Sequence, residues 1–191
     1  MNLPNKITIS RILMIPVFAA IFFIEAIPYN YLISAFIFLI AASTDAIDGH
    51  IARKYQLVTN MGKFLDPIAD KVLVSTAYIL MLTNQAIMPS LFGGICVAVI
   101  IARELIVSGF RMVAASTGLV LAADKVGKIK TVFQDFSIFV LLCSVDFFSL
   151  ENVSEILNIS GIVLLVIATF LTIWSGLSYV IKNRQIFEET K

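Results

Sequence analysis

The stretch "STDAIDGHIARKYQLVTNMGKFLDPIADK" runs from Ser43 to Lys71 and carries four aspartates between two long apolar regions. Charged side chains are costly inside a bilayer. Insertion scales put one central charge at about 2.5–3.5 kcal/mol, so four unpaired carboxylates would cost on the order of 10 kcal/mol. The stretch therefore requires compensating partners, and ionisable residues at such depth indicate a functional site by default.

The composition points to a membrane protein with several spans. Hydrophobic residues make up 59% of the 191 residues and charged residues only 14%, outside the range of soluble domains. The length predicts a single domain over residues 1–191. The net charge is +1 and no basic run is present, which excludes nucleic acid as a partner.

The apolar segments predict an all-α fold with six transmembrane helices. Turn residues such as Pro28, Asn84 and Pro89 separate these segments. The predicted helices cover residues 12–27, 31–54, 62–83, 88–115, 126–147 and 154–182. The mixed stretch "NLPNKITISR" at residues 2–11 predicts an additional short helix lying at the membrane interface.

The positive charges predict the orientation. Six spans place both ends of the chain on one side, and the three loops on the other side contain no Lys or Arg. The positive-inside rule then makes both termini cytoplasmic and places the aspartates on the cytoplasmic side of the cell membrane. The residues on that side are Lys6, Arg11, Arg53, Lys54, Lys63, Lys125, Lys128, Lys182, Arg184 and Lys191.

Helical spacing puts the aspartates on two facing surfaces. The residues that share a face are Asp45, Asp48, Gly49 and Ala52 in one helix, and Gly62, Asp66 and Asp70 in the next. Because the two helices are antiparallel, Asp45 is expected to face Asp70 at a similar depth. Asp48 is expected to face Asp66 for the same reason.

A bound cation resolves the electrostatic cost of such a carboxylate cluster. Carboxylates without cysteine or suitably spaced histidine favour a hard ion such as Mg²⁺ or Mn²⁺, and four carboxylates can hold two ions that clamp a phosphate. The small residues Gly49, Ala52 and Gly62 leave room for a ligand close to the backbone. Close helix–helix packing is the alternative explanation for them.

The aspartate pattern resembles the signature of the CDP-alcohol phosphotransferase family. The eight matching positions, at the family's spacing, are Asp45, Asp48, Gly49, Ala52, Arg53, Gly62, Asp66 and Asp70. The resemblance covers essentially the whole chain. It implies transfer of a phosphatidyl group from CDP-diacylglycerol to an alcohol with release of CMP, and it implies a homodimer in the lipid bilayer.

The resemblance also implies roles for individual residues. Asp45, Asp48 and Asp66 would be metal ligands for two divalent cations. Asp70 would contribute to metal binding and would also deprotonate the acceptor hydroxyl. The residues expected to bind CDP-diacylglycerol are Gly49, Ala52, Arg53 and Gly62.

Three further stretches resemble the family members that use sn-glycerol 3-phosphate and form phosphatidylglycerophosphate. They are "PNKITISR" at 4–11, "ARELIVSGFRMVAA" at 102–115 and "KVGKIKTVFQ" at 125–134. Because a phosphorylated acceptor needs cationic donors, Arg111, Lys128 and Lys130 are expected to bind its phosphate. The alternative acceptors in the family are inositol phosphate, serine and phosphatidylglycerol.

Several residues have two open interpretations. Arg103 either supports the acceptor cluster or belongs to an internal ion-pair set with Glu104 and Asp135. The residues Asn5, Thr8 and Arg11, spaced i, i+3, i+6, either close the site or anchor the N-terminal segment. Thr172, Ser175, Ser178 and Tyr179 form a polar helix face that either lines the cavity or packs against a neighbour.

Two other classes of function are compatible with aspartates in a membrane. A divalent-cation transporter also uses them as ion sites, but these carboxylates cluster at one hairpin and do not follow a path across the membrane. A non-catalytic lipid-binding protein would keep the site without the chemistry, and the presence of Asp70 argues against it.

Overall fold

The computed structural model of the protein describes residues 2–55, 60–116, 125–147 and 151–182. Within the second helix, the backbone of residues 45–54 is described but their side chains are not. The described residues form six α-helices, as predicted; that all six cross the bilayer stays a prediction. The helices are α1 (Leu3–Phe23), α2 (Asn30–Lys54), α3 (Asn60–Met81), α4 (Ser90–Ser116), α5 (Lys125–Asp146) and α6 (Glu151–Lys182).

Long apolar helices identify the chain as a membrane protein. Among the described residues, three segments are long and apolar enough to cross a bilayer: Asn5–Phe23, Ser90–Met112 and Asn152–Lys182. A shorter apolar helical segment covers Asn30–Thr44. The remaining helices, α3 and α5, begin with several charged residues, and these charges lie where the predicted site is expected.

The N-terminal segment differs from the prediction of a separate interfacial helix. Residues 3–11 are the first turns of α1, which continues without a break to Phe23. Pro4 lies in the first turn of this helix, where a missing backbone N–H has no consequence. Because α1 packs against both α2 and α3, its first turns are held inside the helix bundle.

Polar contacts join the loops at the end of the bundle where α1 finishes and α2 begins. Asp146 at the end of α5 accepts a hydrogen bond from the backbone N–H of Leu32 at 2.5 Å, satisfying a donor in the first turn of α2. Asn84 donates to the Tyr31 hydroxyl at 3.0 Å. Asn158 of α6 donates to the Ile87 carbonyl at 2.9 Å. The opposite end, where α2 finishes and α3 begins, carries the aspartates and is called the motif end below.

The core of the bundle is apolar, with close helix contacts. Among the described helices, α5 and α6 pack against each other most extensively. Gly161 of α6 lies directly against Leu141 of α5, because a Cβ atom at position 161 would be 2.6 Å from the Leu141 Cγ. Tyr78 of α3 is fully buried, and its hydroxyl lies 2.9 Å from Ser137 Oγ of α5. These contacts hold α3, α5 and α6 together.

Candidate active site

Two of the predicted metal ligands lie one turn apart on α3. Asp66 and Asp70 are separated by four residues, which corresponds to about 6 Å along a helix, and both are partly exposed. Gly62 is buried one turn before Asp66, so the three positions occupy one face as their spacing predicts. Ala69 is fully buried in the core. The carboxylate face of α3 therefore lies beside, and not within, the apolar core.

Helix α1 contacts this carboxylate face directly. The Thr8 hydroxyl donates a hydrogen bond to Asp66 Oδ1 at 2.7 Å, and Thr8 is only 1% exposed. Asn5 and Arg11 on the same face of α1 are buried too. The first turns of α1 thus cover one side of the aspartate cluster, which is the placement required of residues that close the site.

Arg11 connects α1 to the other aspartate helix. Its side chain is fully buried, and its Nε donates to Thr44 Oγ1 of α2 at 3.1 Å. Thr44 comes immediately before Asp45 in the sequence. A buried guanidinium is therefore placed next to the helical backbone at the start of the aspartate motif.

The other motif residues lie on the helical backbone of α2. The side chains of Asp45, Asp48, Gly49, Ala52 and Arg53 lie outside those that the structure describes. Their backbone is one continuous helix, and α2 packs against α3. The proposed facing of Asp45 with Asp70 and of Asp48 with Asp66 thus stays a prediction.

The described donors suit the hard cation that the sequence predicts. Asp66 and Asp70 supply carboxylate oxygens, which Mg²⁺ and Mn²⁺ prefer. The Thr8 hydroxyl fixes one oxygen of Asp66, as hydrogen bonds to ligating carboxylates commonly do in metal sites. Among the described side chains, no group of three potential metal ligands occurs; those of Asp45 and Asp48 are not in that set.

Three cations converge on Glu104 beside Asp70. Lys130 of α5 forms a short ion pair with Glu104 Oε1, Arg103 Nη1 lies 3.1 Å from the same oxygen, and Lys71 Nζ lies 3.8 Å from Oε2. Asp70, Lys71, Glu104 and Lys130 line one cavity between α3, α4 and α5. The cavity therefore combines the predicted general base with several positive charges.

Helix α6 fixes the position of Arg103. The guanidinium Nη2 donates to Ser175 Oγ at 2.9 Å. A Cβ atom at position 176 would lie 2.9 Å from the Arg103 Cγ, so Gly176 makes room for this side chain. The polar face of α6 therefore packs against α4, and Arg103 belongs to an ion-pair set with Glu104.

The predicted acceptor cations have different surroundings. Lys130 is buried and lines the cavity, whereas Lys128 is exposed. Arg111 is exposed as well, and its guanidinium carbon lies 5.6 Å from the centre of the buried Tyr179 ring. Arg111 is about 12 Å further along α4 than Arg103. The structure brings together Lys130 and Arg103, with Arg111 nearer the end of α4.

Sequence reasoning did not assign Lys71 or Gly176 to the site, and it considered Glu104 only as an ion-pair partner. It left open whether the polar face with Ser175 lines the cavity or packs against a neighbour, and the structure shows Ser175 bonded to Arg103 of α4. Two signals were available. Lys71 follows Asp70 directly, and Glu104 is an ionisable residue within an apolar helix. No sequence signal indicated Gly176, because its role depends on the approach of α4 to α6.

Comparisons with known proteins agree with the motif. A family model described as CDP-alcohol phosphatidyltransferase matches residues 1–174. Three relatives are named CDP-diacylglycerol–glycerol-3-phosphate 3-phosphatidyltransferase. The relative from Bacillus subtilis (strain 168) is 43% identical over 95% of each chain, and that from Rickettsia bellii (strain RML369-C) is 40% identical over 93% of each. The relative from Salmonella paratyphi A (strain ATCC 9150 / SARB42) is 36% identical over 93% of this chain and 92% of its own. This chain belongs to the CDP-alcohol phosphatidyltransferase family.

Proposed function

We propose that the chain transfers the phosphatidyl group of CDP-diacylglycerol to sn-glycerol 3-phosphate, forming phosphatidylglycerophosphate and CMP. The names of the relatives support the reaction. The observation that carries the proposal is the cavity in which Asp70 lies together with Lys71, Glu104 and Lys130. It places a base for a hydroxyl next to positive charge for a phosphate.

The donor binds along the two aspartate helices. Asp45, Asp48, Asp66 and Asp70 hold two divalent cations, Mg²⁺ or Mn²⁺. When bound, these ions neutralise the diphosphate and stabilise the departing CMP. Gly49, Ala52 and Gly62 leave space for the nucleotide close to the backbone, and Arg53 contributes a charge-assisted contact. Thr8 holds the Asp66 carboxylate in one orientation.

Asp70 is the catalytic base of the transfer. The primary hydroxyl oxygen of the acceptor forms a bond to the phosphorus that carries the diacylglycerol. The bond from this phosphorus to the bridging oxygen breaks, and CMP leaves with that oxygen. The hydroxyl proton passes to the Asp70 carboxylate. The proposed reaction is a single displacement, in which the acceptor hydroxyl attacks the phosphorus directly.

The acceptor phosphate is bound by the cations next to Asp70. A phosphate monoester carries about −1.5 to −2 charge at pH 7. Charge-assisted hydrogen bonds to it are stronger than hydrogen bonds between neutral groups. Lys130 and Arg103 are already in the cavity region. Arg111 and Lys128, both more exposed, contact the acceptor as it enters from the motif end.

The proposed setting is the cell membrane. Six helices span the bilayer, both termini are cytoplasmic, and the motif end faces the cytoplasm, where the positive residues concentrate. The protein acts as a homodimer with one active site in each protomer. Asn5 and Arg11, buried beside Thr8, keep the first turns of α1 over the site.

The decisive experiment supplies purified protein in detergent with CDP-diacylglycerol, Mg²⁺ or Mn²⁺, and one acceptor at a time. CMP release and the lipid product are measured for sn-glycerol 3-phosphate, inositol phosphate, serine and phosphatidylglycerol. We expect turnover with sn-glycerol 3-phosphate to exceed that with each other acceptor. A higher turnover with one of the other acceptors would overturn the proposed acceptor and leave the proposed metal role unchanged.

A further inference from the structure

We propose that Glu104 is the positioning residue of the acceptor pocket: it holds Lys130 and Arg103 beside Asp70, where they meet the acceptor phosphate. This inference rests on the proposed function, because it concerns the acceptor half of that reaction. Neither the aspartate motif nor the names of the relatives assign a role to Glu104.

The contacts of Glu104 join three helices at one carboxylate and reach a fourth helix through Arg103. Glu104 belongs to α4, Lys71 to α3 and Lys130 to α5. Oε1 binds both Lys130 and Arg103, whereas Oε2 faces Lys71 at 3.8 Å. Arg103 in turn donates to Ser175 of α6.

Lys130 needs a permanent partner. Its residue is only 3% exposed, and a buried ammonium without a counter-charge is strongly unfavourable. The acceptor phosphate is absent for part of every catalytic cycle, so it cannot fill that role. Glu104 keeps the Lys130 charge in the cavity between turnovers, in the position where the next acceptor phosphate arrives.

The charge balance of the cluster favours an anionic acceptor. Lys71, Arg103 and Lys130 carry three positive charges against the two carboxylates of Glu104 and Asp70, which line the same cavity, so one positive charge is left over. A phosphate monoester supplies negative charge to this surplus, whereas a zwitterion such as serine supplies no net charge. Glu104 therefore contributes to acceptor choice without touching the reacting atoms.

The test compares Glu104→Gln with Glu104→Asp in the detergent-solubilised full-length protein. The Gln side chain keeps the shape of Glu and loses its charge, whereas Asp keeps the charge on a shorter stem. We expect Glu104→Gln to raise the KM for sn-glycerol 3-phosphate at least about 10-fold and the donor KM by less than about 2-fold. Glu104→Asp should raise the acceptor KM less than Glu104→Gln does, because it keeps the negative charge. Glu155→Gln, an exposed site at the far end of α6, is the matched control.

Competitive inhibition by inorganic phosphate gives a second measurement. Its inhibition constant against sn-glycerol 3-phosphate should rise in parallel with the acceptor KM in Glu104→Gln. If Glu104 served only packing, the isosteric Gln variant would have a lower acceptor KM than the Asp variant. That ranking, or an equal rise of both substrate KM values, would overturn the inference.

A double-variant cycle tests whether Glu104 acts through Lys130. Lys130→Met should itself raise the acceptor KM, and adding Glu104→Gln should raise it by less than about 3-fold more, because residues in one network are not additive. A further rise of about 10-fold or more, when Glu104→Gln is added to Lys130→Met, would overturn the inference. This comparison remains decisive even if Glu104→Gln alone does not fold, since the double variant removes both charges of the ion pair. Absence of CMP release with sn-glycerol 3-phosphate in the unmodified protein would instead refute the proposed function.

Discussion

Thr8 Oγ1 donates a hydrogen bond to Asp66 Oδ1 at 2.7 Å, across the contact between α1 and α3. The two residues are separated by 58 positions in the chain. This contact makes the N-terminal helix a part of the candidate active site, because the orientation of a proposed metal-binding carboxylate depends on a hydroxyl that α1 supplies. It also explains why the first turns of α1 are buried in the bundle.

Replacing Thr8 by Val is expected to weaken metal activation. Val keeps the shape of the side chain and removes the hydroxyl, so Asp66 loses an orienting hydrogen bond. Such changes beside metal ligands typically cost 10–100-fold in metal affinity or activity. The Mg²⁺ concentration that gives half-maximal CMP release should rise at least about 10-fold. Thr8→Ser, which retains the hydroxyl, should stay within about 3-fold of the unmodified protein. An equal change of this Mg²⁺ concentration in the Val and Ser variants would contradict the proposed role of the Thr8 hydroxyl.

Replacing Asp45, Asp48 or Asp66 by Asn is expected to abolish turnover. Each change removes a negative charge from the proposed cation site, and a neutral amide is a poorer ligand for a hard ion. Excess chelator should abolish the activity of the unmodified protein, and added Mg²⁺ or Mn²⁺ should restore it. CMP release is the measurement, with membrane insertion checked in parallel. Full activity in chelator would rule out the metal role.

Replacing Asp70 by Asn is expected to affect chemistry more than donor binding. Loss of a general base typically costs 10²–10⁴-fold in rate, so turnover should fall at least ~100-fold. Binding of CDP-diacylglycerol, measured directly, should survive better in Asp70→Asn than in Asp66→Asn. If both variants lose donor binding equally, Asp70 is only a metal ligand and another group accepts the proton.

Replacing Gly176 by Ala is expected to displace Arg103. The added Cβ would lie 2.9 Å from the Arg103 Cγ, so the hydrogen bond from Arg103 to Ser175 would be strained. Loss of one such bond amounts to about 1 kcal/mol, or roughly 5-fold in the acceptor KM. Gly109→Ala on α4 is the control, because a Cβ there meets nothing within 4 Å. An unchanged acceptor KM in Gly176→Ala would show that Arg103 does not act in acceptor binding.

Replacing Gly161 by Ala is expected to destabilise the bundle without a direct effect on the site. A Cβ atom at position 161 would lie 2.6 Å from the Leu141 Cγ and 3.2 Å from the Leu141 backbone nitrogen, so α5 and α6 must separate. Overpacking of this kind typically costs 1–3 kcal/mol. The temperature of half-inactivation in detergent should fall in Gly161→Ala and remain unchanged or rise slightly in Gly94→Ala, where the added methyl has open space. A larger fall of this temperature in Gly94→Ala than in Gly161→Ala would contradict the close contact between Gly161 and Leu141.

The sequence by itself determined where the helices lie and which aspartates of α3 share a face. Apolar runs of bilayer length, separated by residues such as Pro28 and Pro89, predict where helices lie, since both signals are local. The spacing of Asp66 and Asp70 predicts their common face for the same reason. The expected break near residue 11 was wrong, because nothing local ends α1 there and its contacts with α2 and α3 extend it.

Only the tertiary structure decided which residues from different helices meet. The bond from Thr8 to Asp66 and the convergence of Lys71 and Lys130 on Glu104 join residues that are far apart in sequence. In apolar helices nearly every face is hydrophobic, so helical periodicity does not indicate which neighbour a face contacts. The partners of a buried charge are therefore set by helix packing, and for this chain that packing places the cations of α3, α4 and α5 beside Asp70.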